Sequence, residues 1–301
     1  MAAKKQRLTE LDIGLFIIQR GIRDFASLLA AANERFQAGE RDLAKFIFRI
    51  HEKRAGELIE LAWKFHTAPD DTLRAGKTRV ELLHEAGAQP CSCPDSGFVA
   101  GKWLQNAKQT LNNNLIEPDE FGAAILDLLT HGRSKYRNII VHGPSNCGKT
   151  FLLDPLTKIY RAFSNPATNS KFAWIDSDKR ELIFLNDFRW TPEVIGWETL
   201  LLLLEGQLVN LPTPKNSYPR DIVITAEMDT PIFCTSKGPI RYTAAYNQTC
   251  EKENRMMDLR WKQFKLFYEM GESDTEQVPS CCRCFFELVT GSELDANLSQ
   301  R

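Results

Sequence analysis

The stretch VHGPSNCGKT, residues 141–150, decides how this chain is read. Within it Gly143, Pro144, Ser145, Asn146, Cys147, Gly148, Lys149 and Thr150 satisfy the pattern G-x-x-x-x-G-K-[ST]. The spacing has a physical reason. Glycines let the backbone curl so that successive N–H groups point inward at phosphate oxygens, and the following helix adds the positive end of its dipole. Lys149 would neutralise the β- and γ-phosphates of ATP, and Thr150 would place its hydroxyl on Mg²⁺. The flanks agree with this reading. Asn138-Ile-Ile-Val-His142 is a short apolar run of the kind that forms a strand buried on both faces of a parallel sheet, and FLLDPLTKIYRAF after the loop is helix-like.

Working outward, a P-loop ATPase needs an acidic residue at the end of a neighbouring strand to organise Mg²⁺ and the attacking water. Glu181-Leu-Ile-Phe-Leu-Asn-Asp187 supplies it: Asp187 follows four apolar residues and is preceded by Asn186. Further strands are expected at Phe172–Ile175, Leu182–Leu185, Ile222–Thr225 and Pro231–Thr235. The fold class that follows is α/β, a P-loop ATPase core with a parallel-type central sheet. Toward the N-terminus, Leu15, Ile18, Ile22, Phe25 and Leu29 recur at steps of three and four, the mark of one face of an amphipathic helix. Leu43, Phe46, Ile50, Leu58, Leu61 and Phe65 extend the helical pattern, and Thr78–Ala86 adds another helix. The segment QPCSCPDSG, residues 89–97, reads as a linker or tight turn. The expected organisation is a helical domain at 1–88, a linker and helical lead-in at 89–118, and the ATPase domain at 119–301.

Bulk composition narrows the function. A hydrophobic content of 43% over 301 residues supports a real core, and a formal net charge of −1 excludes a globally basic footprint, so any nucleic-acid surface is a local patch or a ring made by assembly. The longest leucine run, Leu200–Leu204, falls far short of the roughly 20 residues that span a bilayer, and no membrane association is expected. The sequence holds eight cysteines. Zinc joining Cys91 and Cys93 to Cys281, Cys282 and Cys284 is conceivable. Read as CxC and CCxC runs, however, the clusters lack the usual C-x2-4-C zinc spacing, and ordinary buried or free thiols are favoured.

Four stretches then carry a more specific likeness. GPSNCGKT, FAWIDSDKRELIFLNDF, LLLLEGQLVNLPTPKN and DTPIFCTSK, in that order, resemble the motifs of superfamily 3 helicases, especially parvovirus nonstructural proteins and papillomavirus replication helicases, over roughly residues 120–290. The resemblance implies an ATP-dependent helicase or translocase that works in DNA replication as a homo-oligomeric ring, a hexamer by analogy. Its partners would be single-stranded or forked DNA, and nuclear placement follows only from that substrate. Residue by residue, Lys149 and Thr150 would bind phosphate and Mg²⁺, and Asp187 would take the second of the family's paired acids. Asn186 stands in the first, where an amide oxygen can accept hydrogen bonds but not a proton. Lys215 and Asn216 fall where a DNA-contacting hairpin tip would lie. Lys237 occupies the position at which relatives place a γ-phosphate-sensing Asn, a role that Thr235 or Ser236 would otherwise take. Arg260, with Arg255 as second candidate, would reach the nucleotide of the neighbouring subunit. None of the five histidines forms the His-x-His pair of an origin-nicking nuclease. The departures at Asn186 and Lys237 leave an alternative, an ATP-binding assembly module without productive hydrolysis.

Overall fold

In a computed structural model, the structure describes residues 8–93, 101–164, 172–213, 221–225, 228–242, 250–269 and 278–291. The chain divides into two compact units, Met1–Lys77 and Thr78–Arg301. The division precedes the turn-rich segment at which the sequence suggested a boundary, because the helix that follows Thr78 packs within the second unit.

The first unit is helical among its described residues. α1 (Glu10–Arg20) opens with a capping box: the Thr9 hydroxyl accepts from the Asp12 N–H at 3.2 Å, and the Asp12 carboxylate accepts from the Thr9 N–H at 2.8 Å. Gly21, left-handed at φ 67°, stops the helix, and Asp24 caps the start of α2 (Phe25–Gln37). Two helices therefore replace the single one expected over Leu15–Leu29. The buried face also differs from the expected one. Ile13, Ile17, Ile22 and Leu28 are buried, while Leu15 and Leu29 are exposed, since the break at Gly21 resets the helical phase. α3 (Asp42–Ile47) and α4 (Glu52–Ala75) complete the core with Leu43, Ile47, Leu58 and Ile59; Leu61 and Phe65 face outward.

In the second unit, α5 (Arg79–Ala88), α6 (Lys102–Asn113) and α7 (Pro118–His131) lead into the sheet. The strands are β1 (Asn138–His142), β2 (Ala162–Ser164), β3 (Leu182–Leu185), β6 (Ile232–Ser236) and β7 (Trp261–Lys265), all parallel, in the order β2-β3-β6-β1-β7. Both faces are covered. Ile139, Val141, Leu182, Phe184 and Phe233 pack in one core with α5 to α7, α8 (Lys149–Ile159) and α11 (Cys282–Thr290). The alternate residues Ile140, Ile183, Leu185, Ile232 and Cys234 pack in a second core with α9 (Trp197–Glu205). This two-sided burial is why the strands read as unbroken apolar runs.

Two strand expectations are corrected. Phe172–Ile175 is turn, and the edge strand beside β3 is β2, which the sequence reading had merged into the helix after the loop. Ile222–Thr225 does contribute a strand, β5 (Asp221–Ile224), but it pairs antiparallel with β4 (Val209–Pro212) as a separate hairpin and not within the central sheet. α10 (Glu251–Asp258) precedes β7. No helix among the described residues is long and apolar enough to cross a membrane.

Candidate active site

The loop from Gly143 to Gly148 joins the end of β1 to the start of α8, at the carboxyl edge of the sheet. β1 lies between β6 and β7 while its own helix leads away to β2, so the loop sits where strand order reverses, the usual ligand crevice of an open parallel sheet. Backbone fit explains the glycines. A Cβ on Gly143 would stand 2.0 Å from the Leu266 carbonyl, and Gly148 adopts φ 85° as the N-cap of α8. Asn146, at φ 57°, is a second left-handed residue in the same loop. Pro144 accepts the Cys147 thiol proton at 3.1 Å, and Cys147 is buried. Pro144 is half-buried, and Ser145 and Asn146 are exposed. The Lys149 ammonium lies over the loop, donating to the Gly143 carbonyl at 2.9 Å and to the Pro144 carbonyl.

Three motifs separated in sequence meet beside Lys149. The Thr150 hydroxyl donates to Asn186 Oδ1 at 2.9 Å, and the Thr235 hydroxyl donates to the same oxygen at 2.7 Å. Thr235 Oγ1 in turn accepts the Asp187 N–H at 2.7 Å, and the Thr235 carbonyl accepts the Phe188 N–H at 2.8 Å. Asp187 sits at φ 49°, a conformation uncommon for a non-glycine residue, and these two bonds hold the turn that presents it. Its carboxylate is exposed, with Arg189 Nη2 at 3.9 Å. Asn186 therefore serves as an acceptor for two hydroxyls, which a carboxylate in its place would also do. With its proton committed to Asn186, Thr150 retains its lone pairs for a cation. Hydroxyl, amide oxygen and carboxylate form the hard-oxygen set that suits Mg²⁺.

The other expected residues divide. Lys237 is exposed immediately after β6, and the Ser236 carbonyl accepts the Gly143 N–H at 3.1 Å, which puts Lys237 next to the start of the loop in the sheet's register. Arg260 is corrected as a trans-acting group, because its guanidinium is consumed inside its own chain. It is 7% exposed, and it donates to the Leu201 carbonyl at 2.9 Å, to the Met256 carbonyl and to Glu205 Oε2 at 2.8 Å. Those bonds tie the start of β7 to α9. Arg255, on α10, is exposed. Lys215 and Asn216 lie outside the described residues, in the connection between β4 and β5.

Sequence reasoning missed Arg133, which anchors the hairpin. Its guanidinium donates to the carbonyls of Leu203 at 3.1 Å, Thr225 at 2.8 Å and Met228 at 3.1 Å, joining α9 to the end of β5. Burial pulls the guanidinium down to about 10 against the opposing pull of Asp229, so it stays charged at neutral pH. No local motif surrounds Arg133; only the distant carbonyls, that of Gln207 at 3.4 Å among them, explain it.

The family model for parvovirus non-structural protein NS1 matches residues 102–272, more than half of the 301-residue chain, from the first turn of α6 to beyond β7. Among curated proteins none matches. Among solved structures, the apo A-form structure of the NrS-1 C-terminal region is similar at 14% identity and a TM-score of 0.40, over 64% of this chain and 46% of that one. The chain thus spans under half the length of that structure.

Proposed function

The chain belongs to the parvovirus non-structural protein NS1 family, a superfamily 3 helicase family, and from that premise we propose that it is an ATP-driven motor of DNA replication that translocates on single-stranded DNA as a ring of six copies.

 The ring is a closed hexamer in which each subunit completes its neighbour's site. The observation that carries this reading is the hydrogen-bonded set Thr150–Asn186–Thr235–Asp187, which joins the phosphate loop, the acidic strand end and the third motif at one edge of the sheet.

The chemistry follows from what each side chain offers. Lys149 neutralises charge on the β- and γ-phosphates of ATP as the terminal phosphoryl group leaves. Thr150 and Asp187 would hold Mg²⁺, which would supply positive charge to offset that of the phosphates. Asp187 orients the attacking water, since Asn186 cannot take a proton. Lys237 adds positive charge at the end of β6. Arg255, free of the internal bonds that occupy Arg260, is the arginine we assign to the neighbouring subunit's nucleotide. The hairpin of β4 and β5, anchored through Arg133, carries Lys215 and Asn216 to the DNA. A nuclear site of action follows from that substrate.

Asn186 also favours a second reading, ATP binding without turnover, and one assay separates the two. Phosphate release from the wild type should rise when single-stranded DNA is added, and Lys149→Ala should lower it by about 10²–10³-fold. A wild type that binds ATP but releases no phosphate with or without DNA would leave the assembly module standing and the motor refuted.

A further inference from the structure

A second constellation is built from residues outside the phosphate loop. Cys91 and Cys93 precede α6, Cys281 is the N-cap of α11, and Cys284 lies in its first turn. Their four Sγ atoms all fall within 4.8 Å of one another. Cys91 stands 3.6 Å from both Cys281 and Cys284, and Cys93 stands 3.7 Å from Cys284. The spacing that spoke against zinc reads differently here. Skipping Cys282, the C-terminal run contains Cys281-x2-Cys284, and Cys91 and Cys93 are alternate residues of a segment without helix or strand.

Distances discriminate among the chemistries open to four clustered thiols. A disulfide would pair each sulfur with one partner at about 2 Å, whereas Cys91 is equidistant from two. A polynuclear iron–sulfur cluster must fit several iron and sulfide atoms between its cysteines, and a 4.8 Å spread has room for a single ion. Metal–sulfur bonds of about 2.3 Å in a tetrahedron set the sulfurs about 3.8 Å apart, close to the separations found.

The surroundings fit such an ion as well. A Cβ on Gly101 would come within 2.5 Å of Cys284 Sγ, 2.8 Å of Cys91 Sγ and 3.1 Å of Cys93 Sγ, so this position has no room for a side chain. Gly101 is also the N-cap of α6, and the Trp103 N–H donates to Cys93 Sγ at 3.5 Å. Two helix N-termini, those of α6 and α11, therefore lie at the sulfurs, where their positive ends offset the net negative charge of four thiolates around a divalent ion.

We propose that Cys91, Cys93, Cys281 and Cys284 form a structural zinc site that clasps α11 to the segment entering α6. Four protein thiolates fill a tetrahedral ion's coordination sphere, which leaves no open position for catalysis. The clasp joins residues 190 and 193 apart, closing around the whole parallel sheet. It does not depend on the ATPase reading, and metal content tests it without any turnover assay.

The full chain, purified without chelator from zinc-supplemented cells, should carry one zinc per chain by elemental analysis. Cys93→Ser and Cys284→Ser should lose it, while Cys250→Ser and Cys282→Ser keep it. A metal-free wild type, or full zinc in both cluster variants, would overturn the proposal. Should the cluster variants fail to fold, cobalt exchanged into the wild type gives the answer: thiolate-to-cobalt charge transfer with tetrahedral visible bands is expected, and a cobalt spectrum lacking the thiolate band overturns the site.

Discussion

The phosphate-binding motif takes eight consecutive residues, Gly143 to Thr150, running from the end of β1 into the first turn of α8, whereas the cysteine cluster takes two residues ahead of α6 and two from the start of α11, 190 residues further on. In the loop, chain connectivity sets most of the geometry, and side chains such as Lys149 remain available for chemistry. In the cluster, only the folded state brings the groups together, so their contact reports on the fold. The comparison teaches a division of labour: substitutions in the contiguous site should change turnover with little change in stability, and substitutions at the assembled contacts should do the reverse.

The sharpest way to break that division is the arginine pair. Arg260→Ala removes the donor shared by the Leu201 and Met256 carbonyls and leaves the partly buried Glu205 with Lys135 as its remaining ion-pair partner. It should cost about 3 kcal/mol, or about 10 °C in Tm, by thermal melting of the full chain. Arg255→Ala, at an exposed position, should leave Tm in place and remove the DNA-stimulated part of hydrolysis. Equal losses of Tm in the two variants would erase the distinction drawn here between them.

Asn186 tests the boundary between the two kinds of site, because one side chain joins the loop to β6. Asn186→Ala leaves the Thr150 and Thr235 hydroxyls without their shared acceptor and should lower stability by about 1 kcal/mol in urea unfolding. Asn186→Asp keeps an oxygen acceptor there and should retain that stability. If Asn186→Ala unfolds at the wild-type urea concentration, the bridge between motifs contributes nothing to the fold.

The smallest effect concerns pH. His142 ends β1 directly before the loop, and burial, with Lys265 nearby, lowers its pKa below the ordinary 6.5. The unfolded chain thus binds a proton that the folded chain refuses. The stability this contributes is complete above 6.5 and declines as pH falls toward the folded value. Urea midpoints of the wild type should therefore drop on acidification more than those of His142→Asn, and parallel curves would assign the acid sensitivity elsewhere.

Much of the fold was legible because two-sided burial writes itself into short apolar runs: Ile139 to Val141, Leu182 to Leu185 and Ile232 to Cys234 all proved to be buried strands. The phase of α1 and α2 was not legible, since one left-handed glycine at position 21 moves the buried face from Leu15 and Leu29 to Ile17 and Leu28. Nor could local pattern separate β5 from the central sheet, because strand propensity does not name a partner.

The sequence by itself determined the loop, the strand before it and the helix after it, because those depend on neighbours within a few residues and on glycine's freedom at fixed positions. Only the tertiary structure decided that Arg260 turns inward, that Asn186 links two hydroxyls and that four cysteines converge. Such contacts depend on which distant segments pack together, and the spacing of residues along a chain does not encode that distance in space.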